Sequence, residues 1–258
     1  MKNLIYLLIV SGLMFTFQAC SSENDPAPLD TDNSETSLVL KVINVLDSDG
    51  NEFQIKFNCQ ENKLIRIEFP EKRCDFFYDG ELLSRQEEYR GDSSSITEYE
   101  YDSNSRLMRS YWTNSNNWYV DETIEYSGNK ATVRRITGSP DGTTSERVIN
   151  VWFGNGNVVA LKSYDDEGNY EFEFSYDNNP NIFSNIKGLE KISVVQLSFQ
   201  FYIIGVNNAQ SMIGLNNTNY RRNYTYQYNS MGYPTNATVR VTTEDGSEYV
   251  ESYTLEYY

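Results

Sequence analysis

The chain has 258 residues, 39% of them hydrophobic and 14% aromatic, with 21 Tyr, 37 acidic against 21 basic residues and no His. Without an imidazole, Ser-His-Asp triads, Cys-His dyads and His-ligated zinc or haem are excluded. A formal charge of −16 with no Lys/Arg cluster argues against a nucleic-acid partner, since phosphate-backbone binding needs a basic stripe that releases counterions.

Lys2 and the apolar run Leu4 to Phe17, broken only by Ser11, Gly12 and Thr16, form a charged n-region and an h-region too short to span a bilayer comfortably. Residues 1–19 therefore read as a secretory signal peptide. The segment then runs Phe17-Gln18-Ala19-Cys20-Ser21, a small residue directly before a cysteine. It resembles the lipobox of bacterial lipoproteins, which implies Cys20 as the lipidated N-terminus, outer-membrane localisation and a membrane partner through the lipid. Ser21-Ser22-Glu23-Asn24-Asp25 is similar to the Ser-plus-acidic export tag of surface lipoproteins, so the protein is expected on the surface or periplasmic face. Residues 20–37 are Asp, Asn, Glu, Ser, Thr and Pro with almost nothing apolar, and they read as a flexible tether because burial cannot offset their ordering entropy.

Residues 38–258 form one expected domain. From Leu38 onward the pattern alternates: Phe53, Ile55 and Phe57 against Gln54, Lys56 and Asn58; Ile65, Ile67 and Phe69 against Arg66 and Glu68; Tyr99 and Tyr101 against Glu98 and Glu100. One face is apolar and the other charged, as in half-buried strands. Phe53–Cys59 and Leu64–Phe69 read as strands around the turn Gln60 to Lys63, and the next strand begins near Cys74. An oxidising compartment favours a disulfide, but this meander places Cys59 and Cys74 at opposite ends of the middle strand, about five residues of ~3.3 Å apart, beyond the ~7 Å Cα separation a bridge tolerates. Free, mostly buried thiols are expected.

Turn chemistry interrupts the alternation at Asp49-Gly50, Asp79-Gly80, Asp102 to Ser105, Asn114 to Asn117, Gly128-Asn129, Asp141-Gly142, Gly154 to Asn157, Glu167-Gly168, Ser230 to Gly232 and Asp245-Gly246. Gly and Asn tolerate positive φ, so these are hairpin signals. The fold expected is all-β: a single antiparallel meander, curled or barrel-like, of roughly a dozen or more strands. A degenerate phrase, aromatic-Asp-turn-aliphatic, recurs at Tyr78-Asp79-Gly80, Tyr101-Asp102, Tyr164-Asp165 and, with Asn, Tyr228-Asn229. It resembles tyrosine-aspartate repeats. Tyr would end a strand on the core face while Asp accepts backbone N–H groups in the turn.

From about Tyr164 to Tyr258, the order of Asn179-Pro180-Asn181-Ile182-Phe183 and Gly232-Tyr233-Pro234-Thr235 resembles a Bacteroidota lipoprotein family catalogued as a domain of unknown function with a porin-like fold. The resemblance implies a curled or barrel-like sheet and transfers no catalytic residue. Leu189 to Leu215 breaks the turn rhythm, so a short helix and strap near 185–215 are expected to plug one end. On the last strand Tyr249, Tyr253, Leu255 and Tyr257 share a phase with Glu251, and the other phase holds Ser252, Thr254 and Glu256. Neither phase is a clean lipid-facing band, so the apolar face is expected to turn inward.

Trp112, Trp118 and Trp152 are the candidate ligand platform, against the commoner use of such rings in cores and cross-strand pairs. Glu98, Glu100, Glu122 and Glu125 are the carboxylates from which a glycosidase pair would come. Asp47-Ser48-Asp49-Gly50 opens like a calcium loop but has Asn58 where a bidentate Glu is needed, so it reads as a hairpin turn. No cofactor, metal or catalytic residue is expected. The function expected is a non-enzymatic binding or interaction module with a glycan or another envelope protein as partner; the alternative is a glycan-binding protein or carboxylate-only glycoside hydrolase.

Overall fold

In a computed structural model, the structure describes residues 38–165, 168–196, 198–199, 202–203, 205–215 and 219–258. The signal peptide 1–19, Cys20, the tether 20–37 and the tip of the Glu167-Gly168 turn lie outside the described residues. The barrel belongs to the unit Ser37–Tyr258.

Twelve strands follow one another in chain order: β1 (Leu40–Leu46), β2 (Glu52–Gln60), β3 (Lys63–Glu68), β4 (Arg73–Asp79), β5 (Leu82–Arg90), β6 (Ser93–Tyr101), β7 (Leu107–Asn114), β8 (Tyr119–Ser127), β9 (Lys130–Gly138), β10 (Thr144–Gly154), β11 (Asn157–Asp165) and β12 (Gly168–Pro180). After an excursion holding the two-residue strands β13 (Ser198–Phe199) and β14 (Tyr202–Ile203), the meander resumes with β15 (Asn207–Leu215), β16 (Arg221–Tyr228), β17 (Pro234–Thr242) and β18 (Glu248–Tyr257). Each strand pairs antiparallel with its neighbour, β12 pairs with β15, and β18 returns to β1 from Leu40↔Tyr257 to Leu46↔Ser252. Sixteen strands thus close a barrel, and β13–β14 pair separately. Closure removes the sheet edges that an open meander of this length would expose.

Predicted alternation appears as burial. Ile55 and Phe57 are buried while Gln54, Lys56 and Asn58 are exposed, and on β18 Glu251, Tyr253 and Leu255 are buried between exposed Val250, Thr254 and Glu256. The apolar phase therefore points inward. Outward charges pair across strands, with Arg66–Asp75 at 2.6 Å, Arg109–Asp121 at 2.8 Å, Arg134–Glu146 at 2.6 Å and Lys162–Glu171 at 3.3 Å.

The barrel's two ends differ. At the end where β1 starts and β18 finishes, the hairpins carry tyrosines. Tyr101 Oη donates to the Leu83 carbonyl at 2.7 Å, Tyr176 to Val158 at 2.6 Å, Tyr226 to Ala209 at 2.8 Å and Tyr257 to Pro234 at 2.7 Å. In each case a tyrosine late in one strand satisfies a carbonyl at the start of the strand before it. Five of these hairpins carry a register shift next to the turn, at Asn58/Cys59, Phe77/Tyr78, Glu100/Tyr101, Trp152/Phe153 and Gln227/Tyr228, as bulges at barrel rims do. The sequence left Glu61-Asn62 without glycine, yet both adopt positive φ (51° and 61°) to make the β2–β3 turn.

This end is closed from within. The chain leaves the wall after Pro180 and returns at Asn207, its register partner, with the neck clasped by Asn181 N–H to Val206 O at 2.9 Å. Ile182, Phe183, Ile186, Leu189, Ile192 and Val194 are buried. The expected strap is therefore real, but it begins at 181 rather than near 185, and Asn207–Leu215 is barrel strand β15 rather than strap. The reason is Asn157: its Oδ1 accepts from Val206 N–H at 2.8 Å and Asn207 N–H at 3.1 Å, drawing the chain back into the wall. The helix is a single 3-10 turn, Leu189–Ile192, entered through Gly188 at φ 80°. A side chain there would meet Glu81 O and Leu83 N at 3.1 Å, so glycine is needed for both conformation and space.

Cys59 and Cys74 are free thiols, half-buried and buried respectively. Cys59 pairs with Leu64 and Cys74 with Ile67, toward opposite ends of β3 as expected.

Candidate functional site

Among the described residues, the turns at the other end are exposed hairpins. Asp47 accepts N–H groups of Asp49 at 3.0 Å and Asn51 at 2.8 Å, and Asp102 repeats this with Asn104 at 2.8 Å and Arg106 at 2.9 Å at the tyrosine end. The Asp47 carboxylate is thus engaged by its own turn, and these bonds hold its pKa below the usual value. That is the hairpin reading of the calcium-like segment.

Above the plug, on the side away from the tyrosine end, the inward phase turns polar. Across β6–β10 the register aligns Tyr99↔Ser110, Ser110↔Glu122, Glu122↔Arg135 and Arg135↔Arg147. This row crosses the inner wall. Arg135 Nε donates to Glu122 Oε1 at 2.7 Å, and Glu122 is 5% exposed. Burial pushes the Glu122 pKa up, while Arg135 and a hydrogen bond from Ser110 hold it down. Tyr99 Oη lies 3.3 Å from Gln196 Oε1 on the strap, which ties the plug to the wall.

Two adjoining hollows sit on this row. One of 270 Å³ is lined by Glu122, Val133, Arg135, Arg147, Ile149, Leu161, Ser163, Tyr170, Phe172 and the strap residues Val194 and Val195. The other, of 320 Å³, shares Glu122, Arg135 and Val195 and continues to Trp112, Thr137 and Gln196. Strap residues are the floor, strands β6 to β12 the wall. The Ser163 hydroxyl, on a residue 5% exposed, is buried without a hydrogen-bond partner beside this hollow.

Of the three tryptophans, only Trp112 lines the hollow. Trp118 is 45% exposed in the β7–β8 connection. Trp152 is on β10 beside buried Val151, in the outward phase, with Lys130 Nζ 5.4 Å from its ring. The expected three-tryptophan platform is therefore not assembled. Among the four carboxylates, Glu122 is inside, whereas Glu98, Glu100 and Glu125 are exposed in the opposite phase. Arg147, Ser163, Tyr170 and Phe172 were missed by sequence reasoning. Their signal was polarity on the apolar phase: Arg147 alternates with Ile149 and Val151, and Ser163 with Leu161.

No family model and no curated protein matches the chain. It is similar in structure to a crystal structure of a porin-like protein from Bacteroides uniformis, with TM-score 0.53 and 12% identity over 85% of this chain and 96% of that one. A porin-like protein from Bacteroides vulgatus gives TM-score 0.55 and 10% identity over 86% and 99%. At these identities the likeness is one of fold: the chain is an all-β, porin-like closed barrel.

Proposed function

We propose that the chain is a lipid-anchored outer-membrane protein, held at Cys20, whose plugged barrel is a non-enzymatic binding module. The observation that carries this is the orientation of the two strand phases. Porins of sixteen to eighteen strands hold an aqueous channel inside a lipid-facing apolar band. Here the outward phase carries cross-strand ion pairs and the inward phase packs on the strap, so the barrel presents water-compatible walls and a blind interior. Arginines and lysines on a lipid face would cost about 2–4 kcal/mol each at mid-membrane, which favours anchoring by acyl chain over insertion by strands. β1 starts at the plugged end, so the chain enters the barrel there.

Glycan binding is the second reading, favoured by Trp112, Tyr170 and Phe172 around the hollow. For hydrolysis by carboxylates alone a pair is needed, and Glu122 is the carboxylate among the described lining residues, already engaged by Arg135.

The test is metabolic labelling with a palmitate analogue in cells expressing the wild-type chain and Cys20→Ser, with protease shaving to find the exposed face. Label in the wild type and none in Cys20→Ser is expected. Equal labelling of both, or ion conductance by the purified protein in a planar bilayer, overturns the reading.

A further inference from the structure

We infer that the lumen binds a neutral, linear oligosaccharide end-on, with one sugar ring stacked on Trp112 and the terminal unit bonded by Ser163 beside Tyr170 and Phe172. This rests on the glycan form of the binding-module reading and assigns it a ligand class and an orientation.

The space is continuous. A third hollow, of 280 Å³, lies at the mouth against Ser93, Ser95, Trp112 and Asn116. It shares Trp112 with the 320 Å³ hollow, which in turn shares Glu122, Arg135 and Val195 with the 270 Å³ one. A groove thus runs from the rim along the inner wall and stops over the strap. Trp112 is on β7 and Ser163 on β11, four strand spacings of ~4.8 Å apart, so about 19 Å of wall separates them. No single ring touches both, whereas a chain of rings does.

Trp112 is half-buried in the inward phase, and it joins two of the hollows. Among the described residues its ring stacks on no other ring and carries no cation, and its N–H meets no acceptor. On the opposite phase of the same strand, Tyr111 is stacked with Tyr119 at 6.1 Å. A bare aromatic face with one donor at its edge offers the two contacts a sugar ring takes, an apolar face and a hydroxyl.

The charges of the groove are engaged within the protein. Glu122 accepts from Arg135 at 2.7 Å, Glu88 from Lys72 at 2.9 Å, and Arg147 has its own partner. An acid group on a ligand would find these inner charges already met. Beside them stand uncharged groups: Thr97, Thr137 and Gln196 within, Ser93, Ser95 and Asn116 at the rim. Ser163 supplies an independent observation at the blind end, being 5% exposed with a hydroxyl that bonds nothing. Buried hydroxyls are ordinarily paired, and a sugar hydroxyl can pair this one as donor or acceptor. An acyl chain in the same groove would leave Ser163 and Thr97 dry and unpaired.

The test uses residues 20–258 with Cys20→Ser, titrated calorimetrically with maltohexaose, cellohexaose, laminarihexaose, xylohexaose and mannohexaose, with the monosaccharide of each, and with hexagalacturonate. Saturable binding of at least one neutral hexasaccharide is expected, at least about tenfold tighter than its monosaccharide and than the acid. Trp112→Ala should weaken it by roughly tenfold, and Trp112→Phe, which keeps a ring, should recover part of the loss. Tryptophan emission should shift saturably with the sugar in the parent and stay constant in Trp112→Phe. Ser163→Ala should weaken binding by about threefold or more, with a thermal midpoint at or above the parent's because the hydroxyl it deletes bonds nothing in the fold. No binding by any neutral hexasaccharide, equal or tighter binding of the monosaccharide or the acid, or an emission shift that persists in Trp112→Phe overturns the inference. In each of those cases label at Cys20 without conductance still supports the binding-module reading. Release of reducing ends from a hexasaccharide whose binding Trp112→Ala weakens supports the site and removes the non-enzymatic reading instead.

Discussion

The tyrosine end and the mouth of this barrel are built from the same strands and obey opposite rules. At the tyrosine end the inward phase is largely apolar, with tyrosines such as Tyr101 and Tyr176 reaching neighbouring carbonyls and buried Asn157 and Asn208 bonded to the chain around the strap's neck, and the strap fills the lumen with Leu189 and Ile192 at 0% exposure. At the mouth the same phase carries Glu122, Arg135, Arg147 and Ser163, and space remains. Good packing at one end supplies stability; the other end tolerates an unbonded hydroxyl. The unbonded Ser163 hydroxyl departs from the rule that buried polar groups are paired, and it does so beside the hollow.

The largest expected effects belong to the plug. Leu189→Ala should cost about 2–5 kcal/mol, read as a lowered midpoint in urea, because it opens a cavity where strap meets wall. Tyr101→Phe removes the bond to Leu83 O and should cost about 1–2 kcal/mol. The two thiols, toward opposite ends of β3, probe burial of the wall without changing it. Burial pushes Cys59 up to about 11 and Cys74, also facing Glu88, up to about 12. Both therefore stay protonated at pH 8 and should resist a thiol reagent until denaturant is added.

The hairpin turns respond to acid instead. Asp141 accepts from the Ser139 hydroxyl and from Thr143, which lowers its pKa from 3.8 to about 2. A depressed carboxylate contributes stability above its unfolded pKa and loses it as pH falls through the folded one. The stability gap between wild type and Asp141→Asn should narrow from pH 4 to pH 2, in urea titrations at each pH. The smallest effect is expected at the mouth, where Ser163→Ala should leave urea stability near the parent. A large loss there would mean that Ser163 holds the wall together and would erase the contrast between the two ends.

Much of the fold was legible because each mechanism was local. Period-two alternation in Phe53–Phe57 and Tyr249–Tyr257 marked the inward phase, and Asp-Gly pairs marked turns through glycine's positive φ. The Glu61-Asn62 turn lacked glycine, and the Arg90-Gly91-Asp92 turn was passed over despite Gly91 at φ 54°. Barrel closure was not legible, because pairing of β1 with β18 joins residues at opposite ends of the domain. The strap's limits were hidden for the same reason: Asn157 sets the return at Asn207 from fifty positions away. The mouth was the least legible part. An arginine on an apolar phase resembles an ordinary exception until register places it opposite another arginine.

The central claim is that the apolar phase faces in and the ion-paired phase faces water. The most direct measurement is made on residues 20–258 with Cys20→Ser, produced and purified without detergent, by light scattering and planar-bilayer recording. A dispersed, folded protein with no conductance is predicted. A protein that stays in solution only with detergent, or that opens ion-conducting pores, contradicts the account.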